Sequence, residues 1–148
     1  MKKIIICLIA ILSLSLQSLK SNDNLNYENL WSELKSLNVK YPDIAFAQAI
    51  LESGHFKSKV CRTNNNLFGM KLPGQRETVA LGKNLGYAKY SDWSKSVLDY
   101  KMWQDYVIKK YKISNRTQYL NMINKRYAST PNYTSKLKRI IRNFEHII

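Results

Sequence analysis

Ala45-Phe46-Ala47-Gln48-Ala49-Ile50-Leu51-Glu52-Ser53-Gly54 is an apolar, helix-patterned run that ends in a single carboxylate and a glycine. Pro42 suits the first turn of a helix, and Gly54 suits the point at which a chain leaves one. A helix from Pro42 to about Gly54 is predicted, and apolar residues on several of its faces mark it as central and buried. A carboxyl group held against apolar side chains loses water, so its acid form is favoured and its pKa rises. Glu52 is therefore the candidate proton donor, able to protonate a leaving oxygen near neutral pH. Gln48 lies four residues earlier on the same helical face, where its amide would orient a substrate or a water molecule.

Outward from this helix, Leu30, Trp31, Leu34 and Leu37 predict an amphipathic helix within residues 25–38. Residues 55–71, rich in Asn, Ser and Lys, read as a loop. Pro73-Gly74, Gly82 and Gly86 punctuate two short runs, Glu77 to Leu81 and Tyr87 to Tyr90, which predicts a small β-hairpin. A long helix is expected over about 91–111, with Trp93, Val97, Tyr100, Trp103, Gln104 and Val107 at helical spacing. A shorter helix over 116–125 and a last one over 132–148 complete the chain, the latter turning Tyr133, Leu137, Ile140, Ile141, Phe144 and Ile148 inward. The fold class is mainly α, with one hairpin.

The chain has 148 residues and a formal charge of +14. Lys2 and Lys3 precede a nearly unbroken apolar run, Ile4 to Leu16, and then a polar stretch, which reads as a secretory signal peptide over residues 1–20. The run is too short to favour a membrane span, so no stable span is expected after its removal. Removal takes away Lys2, Lys3 and Lys20 and no acid, lowering the charge to +11. That field draws the protein to polyanions; for an exported protein an acidic cell wall is the expected partner, and nucleic acid is not. Only Cys61 then remains, so no intrachain disulfide can form, and Cys61 is expected to be packed and inert. The scarcity of Cys and His argues against an ordinary zinc site.

The Asn64-Asn65-Asn66 cluster offers amides that suit sugar hydroxyl and acetamido groups, and Phe68 and the later tyrosines and tryptophans offer apolar faces for sugar rings. Taken with Ala47 to Gly54, the segment Asn65-Asn66-Leu67-Phe68-Gly69-Met70-Lys71 resembles the signature of glycoside hydrolase family 73, the peptidoglycan N-acetylglucosaminidases. Tyr90-Ser91-Asp92-Trp93-Ser94-Lys95-Ser96 is similar to the family's Tyr-x-x-Trp-x-x-Ser stretch. Tyr127-Ala128-Ser129-Thr130-Pro131-Asn132-Tyr133-Thr134-Ser135-Lys136-Leu137 resembles its Tyr-Ala-Thr-Asp-Pro-x-Tyr-Ala-x-Lys-Leu motif, with Thr130 where that motif has Asp. The four motifs occur in the family's order over residues 27–148.

The resemblance implies a lysozyme-like helical domain over residues 25–148 with a small β-hairpin lobe. It implies hydrolysis of the GlcNAc-β-1,4-MurNAc bond of peptidoglycan glycan strands by an exported, periplasmic or extracellular monomer that needs no cofactor or metal. Glu52 carries over as the general acid, and Tyr127 and Tyr133 fall on the family's tyrosine motif, one of them near the reacting carbon. Gln48, Asn65, Asn66 and Phe68 are the expected substrate contacts. Glycosidases commonly pair two carboxyl groups, ~6.5–9.5 Å apart for inversion and ~5–5.5 Å for retention. Glu77 is the one carboxylate between Glu52 and Asp92 and is the candidate second group. Without it, the substrate's own 2-acetamido group would attack the anomeric carbon. The alternatives are a lytic transglycosylase of similar fold and a catalytically inactive cationic wall-binding module.

Overall fold

The computed structural model describes residues 24–126 and 132–148, with Arg126 by its backbone alone. The expected signal segment, Tyr127 and Thr130 lie outside the described residues. Helix α1, Tyr27–Ser36, begins where Asn26 accepts the Asn29 amide at 2.7 Å, and buries Leu30 and Leu34. Helix α2, Pro42–Ser53, starts on its proline and ends at Gly54, whose φ of 58 the absent Cβ permits. Every residue from Ile44 to Ile50 is buried, so α2 is the central helix of the domain. The His55 amide reaches back to the Ile50 carbonyl at 2.9 Å, closing the helix, while Gly54, His55 and Phe56 turn the chain away in succession at positive φ.

Part of the expected 55–71 loop is helical. Helix α3, Lys59–Asn64, starts where Ser58 accepts the Cys61 amide at 3.1 Å and stops at Asn65, φ 53. One turn and a half is too short to show apolar periodicity, which is why the segment reads as loop. Cys61 on it is buried, and burial pushes its thiol up to about 11, so it stays protonated and unreactive at neutral pH.

The hairpin is present, but its first strand is displaced. Strands β1, Gly82–Asn84, and β2, Tyr87–Lys89, pair antiparallel in the register Gly82 to Lys89, Lys83 to Ala88 and Asn84 to Tyr87. The two-residue turn Leu85-Gly86, with φ of 52 and 81, sets this register, because both central residues of a type I′ turn need positive φ. Residues 77–80, expected as strand, are not paired in the sheet. The preceding Arg76 makes a bidentate pair with Asp99 at 2.8 and 3.0 Å, and this holds the segment against the next helix.

That helix, α4 (Trp93–Lys110), begins on Asp92, which accepts the Lys95 amide at 3.2 Å. Helices α5, Arg116–Arg126, and α6, Tyr133–Asn143, follow. Helix α2 packs chiefly on α6 and α1, and the core of the molecule forms around it.

The asparagine run joins the hairpin to the helical body. Asn64 Nδ2 donates to the Asn84 carbonyl at 2.7 Å, and Asn84 Nδ2 returns a bond to Asn64 Oδ1 at 2.8 Å. Asn66 accepts the Met70 amide at 3.0 Å and donates to the carbonyls of Met70 and Ala88, both at 2.9 Å. Asn65 Nδ2 reaches the carbonyls of Tyr90 and Ser91 at 3.1 and 3.0 Å. Replacing Asn66 by Ala strands the buried Met70 amide and takes one donor each from the Met70 and Ala88 carbonyls, which keep the Ala88 amide and Asn64 Nδ2. We expect a loss of about 2–3 kcal/mol of stability, read as a lower urea midpoint at unchanged m. A loss under about 0.5 kcal/mol, typical of an unimportant surface change, would show that the clamp is dispensable.

Candidate active site

A cleft of about 860 Å³ runs between the helical body and the hairpin lobe. One wall is Glu52 at the end of α2, with Ser58, Lys59 and Val60 at the start of α3. The floor is the loop Asn66 to Lys71, and the far wall carries Pro73, Arg76, Tyr87 of β2 and Trp103 of α4. The long buried run of α2 and its abrupt left-handed exit leave Glu52 at the seam between core and cleft, partly buried.

Burial holds the Glu52 carboxyl above the usual carboxylate range, and a hydrogen bond from Tyr133 partly opposes the rise. The Tyr133 hydroxyl, carried in the first turn of α6, donates to Glu52 Oε1 at 2.7 Å. Burial, together with the neighbouring Glu52 charge, raises the Tyr133 hydroxyl well above its ordinary value, so it acts as a neutral donor. The second oxygen, Oε2, faces Gly69: a Cβ placed there would stand 3.9 Å from Oε2 and 4.0 Å from Tyr87 Cε1. Gly69 has φ 62, so the loop both needs glycine for its backbone and leaves open the space over Oε2.

Of the residues singled out in the sequence, Glu52 and Tyr133 are brought into direct contact. Gln48 is fully buried behind them, its Nε2 donating to the Tyr133 hydroxyl at 3.4 Å and its Oε1 accepting from Tyr100 at 2.6 Å. Its amide is therefore committed to the protein interior and not to the cleft. Asn66 borders the cleft, but its side chain is spent on the hairpin clamp, and Asn65 is turned toward Tyr90 and Ser91. Phe68 is 1% exposed and stacks on Tyr100 at 4.1 Å between centroids, so it backs the cleft floor. Glu77 is exposed and is not among the residues that line the cleft. Tyr127 lies outside the described residues.

Several further residues line the cleft. Tyr87 and Trp103 present half-buried aromatic faces, and Lys59, Lys71 and Arg76 present cationic groups. The sequence offers Tyr87 and Trp103 only collectively, among the tyrosines and tryptophans after Phe68 that suit sugar rings, and leaves the three cations unmarked. Arg76 is held by Asp99, which is fully buried and also receives the Tyr90 hydroxyl at 2.7 Å. Burial alone would raise Asp99, but Arg76, Tyr90 and Thr78 together hold it below the usual carboxylate range.

Comparison with known proteins follows the same lines. The catalytic domain of the autolysin Auto from Listeria monocytogenes shares the fold, with a TM-score of 0.53, 22% identity, and coverage of 95% of this chain and 96% of that one. An N-acetylmuramoyl-L-alanine amidase domain-containing protein of Staphylococcus aureus is 30% identical over 131 residues, covering 71% of this chain and 20% of that protein. Protein bax of Escherichia coli is 40% identical over 67 residues, 45% of this chain and 24% of its own. The chain thus spans a quarter or less of the length of these two relatives. The glucosaminidase family profile, mannosyl-glycoprotein endo-beta-N-acetylglucosaminidase, matches residues 27–146. With most of the chain matched and the lysozyme-like helical fold with its hairpin in place, this protein is a member of the glucosaminidase family, glycoside hydrolase family 73.

Proposed function

We propose that this protein is an exported peptidoglycan hydrolase that cleaves the GlcNAc-β-1,4-MurNAc bond, with Glu52 as the general acid. The carrying observation is Glu52 itself: a partly buried carboxyl on the wall of the main cleft, with its pKa raised by burial, in a chain of the glucosaminidase family. The structural neighbour is an autolysin and the staphylococcal relative contains an N-acetylmuramoyl-L-alanine amidase domain, and both support the cell wall as the substrate. Among the described residues no helix is long and apolar enough to cross a membrane.

In this reading a glycan strand lies along the cleft, its apolar sugar faces against Tyr87 and Trp103. Lys59, Lys71 and Arg76 supply a cationic surround for the acidic groups of the wall. Glu52 protonates the glycosidic oxygen as the C–O bond breaks, and charge builds at the anomeric carbon. Among the described residues Glu52 is the carboxylate on the cleft wall, while Glu77 is exposed elsewhere. The substrate's own 2-acetamido oxygen therefore supplies the attack at the anomeric carbon, and water opens the resulting ring while Glu52 takes back a proton. Tyr133 keeps the carboxyl in place through both steps.

The same single-acid geometry also serves a lytic transglycosylase, in which a hydroxyl of the muramic residue makes the attack. Digestion of purified peptidoglycan by the protein, followed by mass spectrometry of the new ends, separates the two. Reducing N-acetylglucosamine ends support the proposal; anhydro-muramic ends overturn it in favour of the transglycosylase, and wall binding without cleavage in favour of a cationic binding module. Glu52→Gln should cut the rate about 10²–10⁴-fold, the usual contribution of a general acid. Cleavage unaffected by this change would remove Glu52 from the role.

Activity requires protonated Glu52, so the rate should fall as pH rises through a midpoint above the ordinary carboxylate range. Stability has the same sign. A raised folded pKa means that the Glu52 contribution is complete at low pH and lost as pH rises through the folded value. Glu52→Gln keeps an oxygen for Tyr133 and removes the buried charge. Urea unfolding should therefore show the variant gaining stability over the parent between pH 4 and pH 8; an equal difference at both pH values would contradict the raised pKa.

A further inference from the structure

Behind Glu52 lies a line of buried polar side chains that the hydrolytic mechanism does not use directly. Gln104 of α4 is anchored on the backbone of one residue: its Oε1 accepts the Lys40 amide at 2.8 Å, and its Nε2 donates to the Lys40 carbonyl at 2.7 Å. The same nitrogen donates to the Tyr119 hydroxyl of α5 at 2.9 Å. Tyr119 and Tyr100 are 2.8 Å apart, Tyr100 donates to Gln48 Oε1 at 2.6 Å, and Gln48 Nε2 leads at 3.4 Å to Tyr133 and so to Glu52. Gln48, Tyr100, Gln104 and Tyr119 are all fully buried.

The direction of every bond in this line follows from its ends. The Lys40 amide can only donate and its carbonyl can only accept, which orients the Gln104 amide and makes Nε2 the donor to Tyr119. At the other end an ionised Glu52 only accepts, so Tyr133 donates to it and must receive from Gln48 Nε2. Gln48 Oε1 then takes the Tyr100 proton, which leaves Tyr119 as the donor to Tyr100. Burial pushes the Tyr119 hydroxyl up to about 12, so it stays protonated and able to donate.

We infer that Gln104, Tyr119, Tyr100 and Gln48 form a one-way chain of donors that delivers a hydrogen bond through Tyr133 to Glu52 Oε1 and so confines the transferable proton to Oε2. An acid whose Oε1 is occupied by a donated hydrogen holds its own proton on the other oxygen. Oε2 is the one that faces Gly69 and the cleft. These residues are positioning residues: none need touch substrate, and each acts by keeping Tyr133 from turning its hydrogen elsewhere. Donors in series polarise one another, so a break far from Glu52 is felt at it. The inference rests on Glu52 being the acid of the proposed reaction, but its effect on the carboxyl is measurable without substrate.

Among the described residues, the other titratable groups around Glu52 are Tyr133 from α6, Lys59 from α3, Lys71 and Arg76 from the loop, and Tyr87 from β2. Tyr133 is itself a link of the chain; the other four are left in place by a change at Tyr100 or Tyr119. In Tyr100→Phe the ring that stacks on Phe68 remains, but Gln48 Oε1 loses its donor. The Gln48 amide then turns to accept from Tyr133, and Glu52 loses the bond that favours its charged form.

The test is the NMR titration of the Glu52 carboxyl carbon in full-length, glutamate-labelled protein, with Glu52→Gln identifying the signal. Tyr100→Phe should raise the Glu52 midpoint by about half a unit to one unit, the size of one modest hydrogen bond. Tyr119→Phe, one link further away and the second variant should the first not fold, should raise it by less. Ile50→Val trims the same core without touching the chain and should leave the midpoint in place. A midpoint that does not move in Tyr100→Phe or Tyr119→Phe, or moves no more than in Ile50→Val, overturns the inference and leaves only a packing role. In parallel, peptidoglycan turnover in Tyr100→Phe should fall in kcat with KM held. If the parent cleaves no peptidoglycan while the midpoint still shifts, the proposed reaction fails and the chain stands.

Discussion

The Tyr133 hydroxyl donates to Glu52 Oε1 at 2.7 Å, and this bond joins the start of α6 to the end of α2. Most of the architecture bears on it. Helix α2 is buried along nearly its full length, so Glu52 cannot move without disturbing the core, and α6 is the helix that α2 packs against most extensively. The carboxyl is thereby caught between two opposed demands. Burial favours its neutral form, while the tyrosine favours its charged form, and burial is the stronger. A group poised in this way keeps its proton to higher pH than an exposed carboxylate and still releases it, as an acid that must also be regenerated requires.

The hairpin lobe is tied to this centre by backbone contacts and by amides. Asn64, Asn65 and Asn66 bond to the carbonyls of both strands and of the residues that follow them, and Leu67 is fixed by the Ser96 hydroxyl of α4 at 3.0 Å. The result is a rigid loop that delivers Gly69 beside Glu52 Oε2 without filling the space above it. The Arg76–Asp99 pair performs a similar task on the far wall. A buried ion pair of this kind contributes more to fixing one arrangement than to net stability, because desolvation offsets much of its attraction.

The framework was legible in the sequence where local rules govern. Pro42 and Gly54 bracket α2 within a residue of its observed bounds, and Asp92 precedes a long helix whose apolar spacing continues to Lys110. Glu52 stood out because a carboxylate closing an apolar helix is a conflict that folding alone does not call for. The first strand was misplaced because the Leu85-Gly86 turn decides the register, and a leucine at positive φ is not a turn signal that composition reveals. The asparagines looked like sugar ligands because an amide suits a glycan and a backbone carbonyl equally well; only the return of the chain through the hairpin shows which it meets. Gln48 shared the face of Glu52 as expected, yet that face turns inward at Gln48, onto Tyr100 and Tyr133. Tyr119 and Gln104 are fifty or more residues beyond the Pro42–Ser53 segment that they support, and no local pattern joins them to it.

Proton transfer from Glu52 depends on which of its oxygens meets the bond to be broken. The decisive measurement is a crystal structure of Glu52→Gln with a peptidoglycan fragment spanning the cleft. In that variant the side-chain oxygen accepts from Tyr133 and the amide nitrogen takes the place of Oε2. The account predicts the scissile glycosidic oxygen at about 2.6–3.2 Å from that nitrogen, on the Gly69 side. A glycosidic oxygen lying on the Tyr133 side, or a glycan bound away from the cleft, would contradict it.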